Sequence, residues 1–301
     1  MTGKGVRVGL CVPNFGSNLS KESVVSAAVE ADRLGYDSIW VTDHIAIGAS
    51  HPYPYGRTYE AITTLSYLAG KTESIKLGTS VIVAPLRNAV LVAKQLATLD
   101  VLTEGRLVVG FGAGWEPTEF MAMGSDFRVR GRLLDEQLKL IKALWSGKAP
   151  DFVGEFHKVV GVLFSPAPYT PGGPPVWVGG NSERAVRRAL ELADGWHFTG
   201  LPADLFVDRM NLVRARAREG FVVSGRMNVR LGPMFRSEEL RAGSGERRYV
   251  IGGTASSVAD ELSKFIRIGL RYPVVYLGDL KPDDLLAKMS EFIRDVVPSI
   301  S

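Results

Sequence analysis

Cysteine is almost absent: Cys11 stands alone in 301 residues, which excludes an intrachain disulfide and points away from an oxidising compartment. Long apolar runs are missing too. None reaches the ~18 residues a membrane span needs, and the opening MTGKGVRVGLCVPNFG enters a strand with no signal peptide's apolar stretch. Charge of one sign is never concentrated, since no block of five or six like charges occurs and the formal net charge is only +4. Nucleic acid and membrane are therefore not expected partners, whereas an anionic small molecule suits the mildly basic balance. Histidine is scarce, with four in the chain, and their spacing contains no HExxH or similar ligand pattern, so no metal is expected. These absences describe a soluble, cytoplasmic protein.

What the chain has in plenty is alternation. Strand-like runs at Val6–Val12, Ser38–Thr42, Ile75–Ala84, Arg106–Phe111, Val176–Val178, Trp196–Thr199, Met227–Phe235 and Val274–Leu277 alternate with helical patterns from Lys21–Leu34 to Pro282–Val297. Eight strands, each followed by a helix and without a linker, predict one α/β domain over residues 1–301: a single (β/α)8 TIM barrel. The stretches near 146–175, with the run SPAPYTPGGPP, and near 236–253 are too long for ordinary connections and read as loops walling a binding site. A third wall is expected from Ala46–Tyr55.

In parallel α/β folds ligands bind at the C-terminal ends of the strands, so the residues standing there are the candidates. After Val178 the strand ends in Gly179-Gly180, and Asn181-Ser182 opens a helix. Backbone N–H groups and the helix dipole there suit a phosphate, although an ordinary serine-capped turn would read the same way. Asp43 and His44 finish the apolar strand SIWVT, either as mouth residues or as a cap and a loop histidine. His51 and His157 read as loop residues and His197 as part of a short strand. Thr79 and Ser80 end another strand. GFGAGW (110–115) fails as a dinucleotide fingerprint, because a tryptophan takes the last position and Pro117 breaks the helix. It reads better as a strand end at Gly112 open to a flat ring, with Trp115 and Glu119 on the wall; simple packing of Trp115 is the alternative. Asp100 and Arg106 flank a turn at the opposite face, where a structural salt bridge is expected. The arginines of FRVRGR (Arg128, Arg130, Arg132) read as a solvated face, or as contacts to a ligand's negative tail.

Taken together, WVTDH (40–44), LGTSVIVAPLRN (77–88), AKQLATLDVLTEGRLVVGFGAGW (93–115), EF (119–120), RGRLLDEQLKLIKALW (130–145) and PPVWVGGNSERAVRRALELADGW (174–196) resemble the luciferase-like monooxygenase superfamily, in its coenzyme F420 (deazaflavin) branch. The last hundred residues match in spacing only. The resemblance implies a cofactor at the barrel mouth and a non-prolyl cis peptide at Ser80–Val81, with Ser80, Val81 and Ile82 beneath the ring. It places Asp43 and His44 at the ring, Gly179 and Gly180 at the phosphate, and Thr118 at a polar contact. It also implies a homodimer and hydride exchange with a small organic substrate, His44 moving the proton and Asp43 orienting it. An FMN-dependent two-component monooxygenase is the alternative, and a non-catalytic carrier a third. Trp115 stands where sugar-phosphate-oxidising members carry an acid, and Gly48 where they carry a tryptophan. That substrate class is not carried over.

Overall fold

The structure, a computed structural model, describes residues 6–50, 53–147, 151–242 and 245–300; His51 lies outside them. Eight parallel strands close on themselves: β1 (Gly9–Cys11), β2 (Ser38–Val41), β3 (Lys76–Thr79), β4 (Leu107–Gly112), β5 (Val176–Gly179), β6 (Gly195–Thr199), β7 (Val222–Leu231) and β8 (Tyr272–Tyr276). Closure is explicit in the register, with Gly9 of β1 opposite both Ser38 of β2 and Val274 of β8. Helices α1 (Lys21–Leu34), α2 (Ala61–Ala69), α3 (Ala89–Leu102), α4 (Pro117–Ala122), α5 (Arg130–Trp145), α6 (Glu183–Leu192), α7 (Ala203–Arg216), α8 (Ala255–Ile268) and α9 (Pro282–Glu291) follow the strands in turn, α4 and α5 both after β4. The expected (β/α)8 barrel is the observed one.

Local chemistry explains the helix ends. Ser20 and Ser23 form a reciprocal capping box at the start of α1, and Gly35 stops it with φ 80°. Asn88 accepts the Leu91 N–H to open α3.

Two cores hold the barrel. Aliphatic side chains fill the layer between strands and helices. Inside the barrel sits an aromatic plug, in which Trp40 stacks on Trp177 at 5.1 Å and on His197 at 5.3 Å. Such ring pairs contribute about 0.5–1.5 kcal/mol beyond their buried area. The plug needs a bare backbone opposite, since a Cβ at Gly78 would lie 2.3 Å from the Trp40 ring.

Three expectations are corrected. Strand β7 runs Val222–Leu231 rather than Met227–Phe235, because its first residues pair with β6 and β8 on either side. The 236–253 stretch is not a plain loop: Arg247–Gly253 runs parallel to the end of β7, and Glu238–Arg241 pairs antiparallel with it. Asp100 and Arg106 do not pair. The Asp100 carboxylate accepts the Thr170 N–H at 2.8 Å and so anchors the proline-rich stretch, while Arg106 donates to Ala69 O and Ile75 O at the end of α2.

Candidate active site

At the C-terminal ends of the strands lie two adjoining cavities. The larger, about 600 Å³, is lined by Asp43, His44, Ser80, Val81, Gly112, Trp115, Gly179, Gly180 and Asn181. Nine of the expected site residues are thus brought together. Thr79, Ile82, Val178 and Thr118 are not among its lining residues. The first three are fully buried in the strands, and Thr79 Oγ1 bridges the Gly110 N–H and C=O at 2.9 Å each, locking β3 to β4. Thr118 is exposed on α4 and lies beside Gly48.

The Ser80–Val81 peptide is cis. Val81 occupies room left by three glycines: added Cβ atoms at Gly110, Gly112 and Gly179 would lie 2.9, 2.5 and 2.7 Å from its side chain. Val81 by itself thus requires Gly112 to be bare. Ser80 is held from below. Ser224 donates its hydroxyl to Tyr272 O at 2.8 Å, so its oxygen accepts from His197 Nδ1 at 2.9 Å. Burial, reinforced by the Arg226 charge, pushes His197 down to about 3. The ring is neutral, and its Nε2 accepts the Ser80 hydroxyl at 2.9 Å.

His44 is oriented by Glu119 and not, as expected, by Asp43. Its Nδ1 stands 3.0 Å from Glu119 Oε2, while Oε1 accepts the N–H groups of Ile45 at 2.5 Å and Ala46 at 3.2 Å. Burial favours the protonated acid, but the His44 contact and the two backbone donors outweigh it and hold Glu119 below the ordinary glutamate range. An ionised carboxylate only accepts, so His44 Nδ1 donates and Nε2 is left for the cavity. Asp43 has different company. Its carboxylate takes the Arg87 guanidinium in two prongs, at 2.6 and 2.7 Å, and the Val83 N–H at 2.8 Å. Burial pushes Asp43 upward against the pull of the Arg87 charge and the Val83 N–H, and Arg87 is raised in return. Asp43 ties the end of β2 to the segment after β3.

The turn after β5 behaves as its glycines imply. Gly180 has φ 131°, and Ser182 caps α6 by accepting the Ala185 N–H at 3.2 Å. Asn181 does not turn its amide to the cavity: it clamps Thr199 with one bond to O at 2.9 Å and one from N at 3.0 Å. Beside this turn the same cavity is lined by Arg128, Arg130, Arg132, Arg184 and Arg188. Burial together with the charges of Arg184 and Arg188 holds Arg130 below the ordinary arginine value. Among the described residues Arg188 pairs with Asp135 and Arg132 with Glu155, whereas Arg128, Arg130 and Arg184 have no carboxylate partner. All three FRVRGR arginines line the cavity, Arg130 partly buried and Arg128 and Arg132 also exposed to solvent. Among the described residues, no group of His, Cys, Asp and Glu is gathered as a metal site would be.

The smaller cavity, about 300 Å³, shares Tyr55, Trp115, Thr199, Arg226 and Arg248 with the larger. Phe15, Tyr53, Pro54, Tyr276, Leu240 and Val250 complete much of it. Two of the three expected walls supply it; the 146–175 stretch does not. Tyr55 lies on His44 with ring centroids 4.4 Å apart, placing this chamber beside the histidine. Arg226 was not found from the sequence, although a signal exists. In β7, Val223, Met227, Val229 and Leu231 face the helices, and Ser224, Arg226 and Asn228 alternate with them toward the barrel interior and its mouth.

Comparison with known proteins accords with this architecture. Residues 6–272 match the family profile described as luciferase-like monooxygenase. An F420-dependent glucose-6-phosphate dehydrogenase of Kineococcus radiotolerans is 33% identical over 206 residues, covering 66% of this chain and 58% of that protein. The chain thus spans less than two thirds of that relative's length. An F420-dependent secondary alcohol dehydrogenase, solved in complex with an F420–acetone adduct, superposes with TM-score 0.81 at 16% identity, over 97% of this chain and 99% of its own. The monooxygenase RslO1 of Streptomyces bottropensis superposes with TM-score 0.80 at 18% identity, over 97% and 99%. At these identities the two structures speak for the fold.

Proposed function

This chain belongs to the luciferase-like monooxygenase family, and on that footing we propose that it is an F420-dependent oxidoreductase exchanging a hydride with a small organic substrate. The observation that carries this reading is the run of positive charge beside the glycine turn. Five arginines line the large cavity together with Gly179, Gly180 and Ser182, and three of them have no carboxylate partner among the described residues. A coenzyme with a phosphate and an anionic glutamate tail fits that length of basic wall. FMN, with one phosphate, would engage the turn and leave most of the arginines unanswered, so it stays the second reading. The relative from Kineococcus points the same way by its name.

Bound here, the deazaflavin would supply the hydride chemistry. The chain's own residues would do the rest. The backbone N–H groups at Gly180 and the start of α6 would hold the phosphate, and Arg130 and Arg184 the tail. Val81, fixed among its glycines, and Ser80, fixed by His197, would form a rigid floor. His44 would hold or release a proton at Nε2 while Glu119 keeps the ring in one tautomer. The sugar phosphate named for the relative is not transferred, given Gly48 and Trp115. A cytoplasmic homodimer, as the resemblance implies, belongs to the proposal and is checked by sedimentation. The activity test is anaerobic. Reduced F420 is mixed with the protein and a panel of ketones, aldehydes and enones, and return of the deazaflavin's visible absorbance is followed. Recovery with the wild type and its loss in His44→Asn is expected; no recovery with any acceptor, or recovery undiminished in the variant, refutes it.

A further inference from the structure

Arg226 is a buried cation without an anion. Its side chain rises from β7 between the two cavities, only 6% exposed, and donates to the Thr42 hydroxyl at 2.9 Å and the Tyr55 hydroxyl at 3.1 Å. Its Nε finds no hydrogen-bond partner, and no carboxylate lies within ion-pairing distance among the described residues. Its neighbours Cys11 and Tyr276 are both held neutral by burial. Of the other cations of the chamber, Arg230 is answered by Glu238 at 2.5 Å and Arg248 by Glu246 at 2.8 Å, while Arg241 is exposed to solvent and donates to Gly245 O at 3.2 Å. The Asp279 carboxylate, which also lines the chamber, accepts the N–H groups of Ser17 and Asn18 at 2.6 and 2.9 Å. One buried positive charge is therefore left over, in a chamber whose walls include the rings of Phe15, Tyr55, Trp115 and Tyr276. A buried guanidinium in this condition is costly to keep unless a ligand completes it.

We propose that Arg226 is the anchor of the substrate subsite, and that the substrate is a small carboxylate with a flat apolar body. The acid group would take the fork of Arg226, and the body would lie among Phe15, Tyr55 and Tyr276, beside His44. A single buried charge without a carboxylate suits a monoanion better than a phosphate dianion, and a planar acid suits a planar guanidinium. Turnover of the bound acid rests on the oxidoreductase reading, whereas its binding does not.

The test compares benzoate with its neutral isostere benzamide, by calorimetry, on wild type, Arg226→Gln and Arg226→Met, each with and without F420; inorganic phosphate is a third probe. Benzoate should bind the wild type about 10- to 100-fold tighter than benzamide, as loss of a charge-assisted hydrogen bond dictates, and tighter than phosphate. Both variants should lose that preference while losing less F420 affinity than benzoate affinity, since Arg226 lines the large cavity as well as the small one. Absence of saturable benzoate binding, equal binding of the two probes, or phosphate as the preferred anion overturns the proposal. So does a variant that keeps the preference, or one that loses F420 affinity instead, which would give the guanidinium to the cofactor. If F420 fails to bind the wild type, the cofactor reading falls alone, and the benzoate-to-benzamide ratio of the cofactor-free protein still decides the role of Arg226.

Discussion

Replacing Glu119 by glutamine should separate the orientation of His44 from everything else the cleft does. The side chain keeps its shape, and its amide oxygen still accepts the Ile45 and Ala46 N–H groups that now lie at 2.5 and 3.2 Å. The amide nitrogen then faces His44 Nδ1, where Oε2 stands at 3.0 Å. A donor opposite a donor is untenable, so the ring must take the other tautomer and present Nε2–H to the cavity. The lost contact is a hydrogen bond to a charged group, about 1.5–3 kcal/mol, which corresponds to about a 10- to 150-fold fall in kcat. F420 affinity, read by fluorescence quenching, should not change. Stability carries a second signature. Because the folded pKa of Glu119 lies below the ordinary glutamate value of 4.5, its contribution is fully present above that pH and is lost as pH falls through the folded value. Glu119→Gln should therefore be less stable than wild type at pH 7, and the gap should close on acidification. Unchanged kcat, or a gap that widens toward acid, would refute the assignment.

Three further perturbations come from the same geometry. Gly179→Ala drives a Cβ to 2.7 Å from Val81 Cγ1, so it should destabilise by about 1–3 kcal/mol in denaturant melts and weaken F420 binding. Arg87→Met leaves the Asp43 carboxylate buried without its guanidinium; a loss of about 3–5 kcal/mol is expected, and Asp43→Asn in the same chain should restore part of it. Arg184→Gln, in the first turn of α6, should weaken F420 about two- to fivefold, flatten the salt dependence of binding and leave kcat untouched at saturation.

The barrel was legible because its signals are local. Apolar runs that stop at Gly179 or Thr79, and a serine or asparagine that starts the next helix, are written in adjacent residues. The same holds for the gathering of His44, Ser80, Val81 and the glycine turn, since every strand delivers its last residue to one mouth. What stayed hidden depends on partners far apart in the chain. Nothing near His44 announces Glu119, which is 75 residues away, and an adjacent aspartate invites the wrong pairing. Asp43 is claimed by Arg87 because the fork fits there, and a sequence pattern does not carry that geometry. Asn181 looked like a ligand contact because it follows the glycine turn; its amide instead closes on Thr199 of the next strand. Arg226 escaped notice because the expected strand began one residue after it, at Met227, and only the pairing with β6 and β8 shows the strand starting at Val222.

The most direct measurement titrates the wild-type protein with F420 and with FMN in parallel, by fluorescence quenching at low and high salt. Saturable binding of F420 that clearly exceeds FMN, and weakens as salt screens the arginine wall, is the predicted result. Tighter binding of FMN, or F420 binding indifferent to salt, would contradict the account.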